Sequence, residues 1–168
     1  MLTNNQIIAQ VLQGNIQHYR HLVDKYRDMA YTIALKLMKN TDDAEEVAQE
    51  SFIKAFEKLN SFKGEATFST WLYTIVYRTG IYHLRKSTPL DNMESSHLNI
   101  VSDTINASEA IERKETKSQV KNAIDRLPRL EALIVSLLYL DEKSVDEVAQ
   151  ITDLTKANVK VKLFRARK

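Results

Sequence analysis

Residues 144–168 read SVDEVAQITDLTKANVKVKLFRARK, and this stretch decides the fold. Ser144 is a helix-capping residue with Glu147 three places on, the pairing of a capping box. Val145, Val148, Ala149 and Ile151 then give a short helix a small apolar face. Thr152-Asp153-Leu154 reads as a turn, and Thr155 caps a last helix whose inner side carries Val159, Leu163 and Ala166. The stretch is a helix-turn-helix. From Thr155 onward it holds six bases and no acid. A helix-turn-helix lays its second helix in the major groove, where basic side chains hold phosphates and a few others meet base edges. Thr155, Lys156, Ala157, Asn158, Lys160, Val161, Lys162 and Arg165 are the residues expected to meet duplex DNA. Asn158 suits adenine and Val161 a thymine methyl. The bland alternative is a solvated helix whose bases complement its own dipole; the capped helix and tight turn in front of it favour DNA.

Moving outward, composition agrees with a helical chain. Of 168 residues only 3 are Gly and 2 Pro, about 3% against a usual ~12%. Sandwiches and barrels spend these residues on tight turns, so they are disfavoured. With no cysteine, disulfide scaffolds, thiolate metal sites and thiol nucleophiles drop out. The lack of cysteine also fits a reducing cytoplasm. No signal peptide is visible at the N-terminus, and no apolar run approaches the ~20 residues of a membrane helix. The net charge of +2, from 24 bases and 22 acids, is uninformative until its distribution is read.

Upstream of the helix-turn-helix, Pro128 stands at a helix start, with Leu130, Leu133, Ile134, Leu137 and Leu138 as the apolar face behind it. A further helix is expected over residues 108–126. Residues 87–112 hold five acids and no Lys or Arg, with Pro89 and many Ser, Asn and Thr, and read as a flexible acidic linker. Such a chain spans roughly 28 Å on average. The expected fold is therefore all-α: two small helical domains, 1–86 and 113–168, joined by that linker, the second containing the helix-turn-helix.

In the first domain, Ile7, Ile8, Val11 and Leu12 form a short helix stopped by Gly14. A long stripe from Ile16 to Leu37 follows. Asp42 is the expected cap of the next helix, with Glu45 completing a capping box. Ala44, Val47, Ala48, Phe52, Ala55, Phe56 and Leu59 share its inner face. Asp43, Glu46, Gln49, Glu50 and Ile53 lie outward, an acidic strip with an apolar centre suited to a basic partner helix. A lone exposed Ile is otherwise ordinary.

A loop around Gly64 leads to a segment dense in rings: Phe62, Phe68, Trp71, Tyr73, Tyr77 and Tyr82, interleaved with Lys63, Arg78, Arg85 and Lys86. Packing through Phe68, Leu72, Ile75 and Val76 would turn Tyr73 and Tyr77 outward and leave Trp71 at the edge. Rings beside cations hold unstacked single-stranded bases; the competing reading makes Phe68 and Trp71 core. Enzymatic sites are absent from the pattern. The acids lack the Glu-x-x-His of di-iron bundles, His18 and His21 have no third ligand, and no phosphate loop or nucleophile elbow occurs. No metal or cofactor and no small-molecule substrate is expected.

These constellations together resemble an extracytoplasmic-function (group IV) sigma factor of bacterial RNA polymerase. Asp42-Asp43-Ala44-Glu45-Glu46-Val47-Ala48-Gln49-Glu50-Ser51-Phe52 is similar to that family's core-polymerase-binding helix. Phe62-Lys63-Gly64-Glu65-Ala66-Thr67-Phe68-Ser69-Thr70-Trp71-Leu72-Tyr73 resembles its melting segment. Leu127-Pro128, Glu147-Val148-Ala149 and Val159-Lys160 through Arg165-Ala166-Arg167 resemble its −35-reading domain. Arg78, Tyr82, Gly80, Asp153 and Val161 depart from the family's usual residues and bear on which bases are read. The resemblance implies that the acidic face docks on core RNA polymerase. It implies that Phe62, Lys63, Phe68, Trp71, Tyr73, Tyr77, Arg78, Arg85 and Lys86 capture −10 non-template bases, and that the last helix reads the −35 element of promoter DNA. Regulation by an anti-sigma factor is common in that family but leaves no legible mark in this sequence, while the expected cytoplasmic location and lack of membrane insertion rest on the missing cysteines, signal peptide and long apolar run. Two other functions fit parts of the pattern. One is a stand-alone helix-turn-helix regulator whose first domain dimerises or senses a ligand; the other is an interaction module without DNA binding.

Overall fold

The computed structural model describes residues 1–87 and 114–168, all of whose regular structure is helical. The expected linker at 87–112 lies outside the described residues except for Ser87, as does the expected start of the following helix at Ser108. Among the described residues eight α-helices run in order: α1 Asn4–Leu12, α2 Tyr19–Met38, α3 Thr41–Glu57, α4 Phe68–Ser87, α5 Lys114–Asp125, α6 Arg129–Tyr139, α7 Val145–Thr152 and α8 Lys156–Ala166. No helix among the described residues is long and apolar enough to cross a membrane.

In the first domain α2, α3 and α4 pack on one another, and α1 lies against α2. Thr3 caps α1 in a full capping box with Gln6. Gly14, at φ 103°, ends that turn of chain where other residues would be strained. The stripe expected as one helix from Asn15 divides into a 3-10 turn, Ile16–His18, and α2. The cap of α3 is Asn40, whose side chain accepts the Asp43 N–H at 3.0 Å. Asp42 therefore sits inside the first turn, where its charge meets the positive helix end, and does not cap as expected. Asn40 takes the role because its backbone is extended at the point of entry.

Gly80 marks the crossing of α4 over α2. A Cβ there would stand 2.7 Å from Leu37 Cδ1, and Leu37 is fully buried. The glycine that weakens helix propensity is what lets the two backbones approach.

In the second domain Pro128 precedes α6 as its N-cap, and Leu130, Leu133, Ile134 and Leu137 are buried as expected. The Ser144–Glu147 capping box is present on α7. Asp153 closes α7 in the left-handed region at φ 54°, and the Thr155 hydroxyl accepts the Asn158 N–H. The two domains pack together, α2 against α6 and α4 against α7, and one apolar cluster runs through both. Lys36, itself buried, pairs with Asp125 at 2.5 Å, and Lys39 donates to the Leu127 carbonyl.

Candidate nucleic-acid interface

Three faces carry the candidate residues. On α3, burial of Ala44, Val47, Ala48, Phe52 and Ala55 turns Asp43, Glu46, Gln49 and Ile53 into solvent, with Ile53 60% exposed. Glu50 is half-buried and engaged: Lys54 approaches one carboxylate oxygen at 2.6 Å and His83 the other at 2.5 Å. The Lys54 hydrogen bond above all, with the His83 bond after it, holds the Glu50 carboxyl below its usual range. Phe56, expected inside, is instead exposed at one end of α3, its ring edge-on to Tyr19. It stands one residue before α3 ends at Glu57. Ile16 and Phe56 line one depression beside His18 and Tyr19. The outward apolar patch is thus larger than Ile53 alone, and the i, i+3 spacing of Ile53 and Phe56 was the available signal.

The ring-rich segment is only partly as expected. Thr67 starts α4 by accepting the Thr70 N–H. Phe62, Phe68 and Trp71 form a triangle with ring centroids 5.3–5.6 Å apart. Phe68 is buried, whereas Phe62 and Trp71 are half-buried at the rim. Lys63, Arg85, Lys86 and Tyr82 are exposed. Tyr73 and Tyr77 are not outward in this structure: they are 1% and 8% exposed.

The cause is the second domain. The Tyr73 ring lies edge-on to Tyr26 of α2 on one side, while on the other Lys143 stands 5.6 Å over its face and Asp141 interacts with its hydroxyl. Burial pushes both tyrosine hydroxyls above their ordinary pKa. Around them run three polar ties between α4 and the α6–α7 region. Thr70 donates to Glu147 at 3.1 Å, and Lys143 donates to Ser69 at 2.5 Å. Arg78 meets Asp153 through two nitrogens, at 3.1 and 3.3 Å. The Asp141 carboxyl is raised, chiefly by burial. The partners Asp141, Lys143 and Glu147 were missed as members of this surface, because no local pattern tells a solvent-facing helix side from one that a later domain covers.

On α8 the sequence reading holds closely. Val159 is its one buried residue, and Ala157, Asn158, Lys160, Val161, Phe164 and Arg165 are exposed. Thr155 caps, and Lys156 pairs with Asp146 of α7. Among the described residues Lys160 and Arg165 make no ion pair. Lys162 is different. Its ammonium is 3.3 Å from Glu131, a buried acid in the first turn of α6, so it turns inward as a strut between α8 and α6. The reason is register: Lys162 falls three places after Val159, on the inner side of the helix.

Comparisons with known proteins place the chain among others of this shape. Residues 22–89 match the family Sigma-70 region 2 and residues 117–168 match Sigma-70, region 4. The chain is 30% identical over 169 residues to the ECF RNA polymerase sigma factor SigW of Bacillus subtilis, covering 95% of this chain and 90% of that protein. It is 28% identical to the RNA polymerase sigma-H factor of Pseudomonas aeruginosa, covering 98% and 90%. Among solved structures it is similar in fold to CnrH in complex with the cytosolic domain of CnrY. That match has a TM-score of 0.64 at 19% identity and covers 96% of this chain and 90% of that one. The sigma factor RpoE of Bartonella quintana, in complex with the anti-sigma factor NepR, matches with a TM-score of 0.63 at 21% identity, covering 89% and 91%.

Proposed function

Because this chain belongs to the extracytoplasmic-function sigma factors, and so is a non-enzymatic alternative sigma factor that binds core RNA polymerase and promoter DNA, we propose that it divides that work among three faces. Residues 1–86 form the polymerase-binding and −10-reading domain, and residues 113–168 form the −35-reading domain. Asp43, Glu46, Gln49 and Ile53 dock on a basic helical surface of core polymerase, with Phe56 extending the apolar contact and Glu50 at its margin. Thr155, Lys156, Ala157, Asn158, Lys160, Val161 and Arg165 meet the −35 duplex. Phosphate contacts from the bases of α8 supply salt-sensitive affinity. Phe62 and Trp71, backed by the buried Phe68, form with Lys63, Arg85 and Lys86 the wall against which unstacked −10 bases are held. Tyr73, Tyr77 and Arg78 join that wall once the second domain moves away. Opening the duplex costs a few kcal/mol per unstacked step, and captured bases offset part of it. The site of action is the cytoplasm. The similar fold of the Bartonella quintana sigma factor, solved in complex with an anti-sigma factor, supports an anti-sigma factor as a further partner here.

The observation that carries this reading is α8 itself: one buried anchor, four bases and no acid, with Arg167 and Lys168 directly after it and Ala157, Asn158 and Val161 in solvent. The test is run-off transcription from a library of promoter fragments with core polymerase. The expected result is promoter-specific transcripts only when this protein is added, from sites with two asymmetric elements. A dimer that binds a palindrome and starts no transcript would overturn it in favour of a stand-alone regulator.

A further inference from the structure

The contact between the domains has a chemical asymmetry. What α4 presents to it is hydroxyls, rings and a cation: Ser69, Thr70, Tyr73, Tyr77 and Arg78. What meets them is three acids, Asp141, Glu147 and Asp153, and one cation, Lys143, which donates to Ser69 and lies between Asp141 and Glu147. The Asp153 carboxylate takes two Arg78 nitrogens at once, the forked geometry that guanidinium also uses for phosphate. Asp153 does so from a backbone position, φ 54°, that glycine occupies most easily. Thr70 is fully buried, with its hydroxyl on Glu147.

We propose that Asp153 and Arg78 form a latch in which a carboxylate occupies the place of a DNA phosphate, closing the second domain over the −10-reading face in the free protein. This rests on the reading of α4 as the −10-reading face. The latch closes only one of the two DNA surfaces. In the closed arrangement Asn158, Lys160 and Arg165 stay in solvent, so duplex DNA binds to α8 while Tyr73 and Tyr77 are still covered. Phosphate then competes for Arg78, and the α4 face is uncovered at the promoter. The pair trims this equilibrium and does not dominate it: the Arg78 and Asp153 side chains are 65% and 52% exposed, exposed pairs shift an equilibrium by about five-fold at most, and the apolar packing of α2 on α6 and α4 on α7 carries the rest of the closed contact.

The experiment measures domain separation in the free, full-length protein. The chain has no cysteine, so Glu57→Cys and Gln150→Cys, at two exposed helix positions, give two specific dye sites, one on each domain. Asp153→Asn removes the charge while tolerating the left-handed backbone. It is expected to raise the open population two- to five-fold, seen as a lower energy-transfer efficiency. The same variant should bind a 12-residue oligo-dT strand two- to five-fold more tightly by anisotropy. The exchange Arg78→Asp with Asp153→Arg is expected to restore the closed efficiency without restoring affinity for the strand, which separates a broken latch from a damaged fold. An unchanged efficiency in Asp153→Asn, or a wild-type protein already open, would overturn the latch. Transcription is scored separately. Failure of the wild-type protein to start promoter-specific transcripts defeats the proposed function but leaves the measured latch standing.

Discussion

Replacement of Lys162 separates two roles that a basic residue on α8 can have. If Lys162 is a strut, Lys162→Ala leaves the Glu131 carboxylate without its cation in a site where that side chain is 9% exposed. Removing one partner of a buried pair costs about 3–5 kcal/mol. Two features reduce this here. Lys162 retains 23% exposure, and Glu131 stands in the first turn of α6, where the helix end contributes up to ~1 kcal/mol toward a negative charge. The expected loss is therefore about 2 kcal/mol. With a urea slope of about 2 kcal/mol per molar, the unfolding midpoint falls by roughly 1 M. Duplex binding by folded protein keeps its salt dependence, because no phosphate contact is lost. Lys160→Ala should behave in the opposite way: stability within about 0.5 kcal/mol of wild type, and a salt slope smaller by roughly 0.9. Adding Glu131→Gln to Lys162→Ala should recover part of the lost stability, since the uncompensated charge is gone. The strut is refuted if Lys162→Ala unfolds with wild type and its salt slope drops as that of Lys160→Ala does.

Three other outcomes follow from the packing. Gly80→Ala gains about 1 kcal/mol of helix propensity but drives a methyl to 2.7 Å from the buried Leu37. Over-packing of 1–3 kcal/mol should win by about 1 kcal/mol, so the melting temperature falls; a rise would mean that α2 and α4 do not cross so closely. Glu50 is held below its ordinary pKa of 4.5 by Lys54 and then His83. Its stabilisation is thus present above pH 4.5 and lost as pH drops through the lowered value. Urea midpoints of Glu50→Gln should lie under those of wild type at neutral pH and converge with them in acid; parallel curves would exclude the pairing. Ser144→Ala breaks the α7 capping box and should lower stability by about 1 kcal/mol, with faster amide exchange at residues 145–148 as the local sign.

What could be read from sequence was whatever depended on neighbours in the chain. The Ser144–Glu147 capping box, the burial of Val159 and the exposure of Lys160 and Arg165 follow from spacing of three and four along one helix. Two errors have a common origin. Tyr73 and Tyr77 do leave α4 on the side expected, yet that side meets Asp141, Lys143 and Asp153, more than 60 positions away. Lys162 looked like its basic neighbours until Glu131, 31 residues earlier, was seen beneath it. The choice of Asn40 over Asp42 as a cap is a subtler case. Both residue types cap well, and only the extended backbone at Asn40 decides between them.

The single inward anchor of α8 also bears on how this protein can be rewritten. Stability of the last helix is vested in Val159, the Thr155 cap and the Lys162 strut, and little of it in Ala157, Asn158, Val161 or Arg165. Those four positions form an alphabet that can be exchanged without disturbing the scaffold beneath. Libraries confined to them should yield orthogonal regulators that fold alike and differ in the site they select.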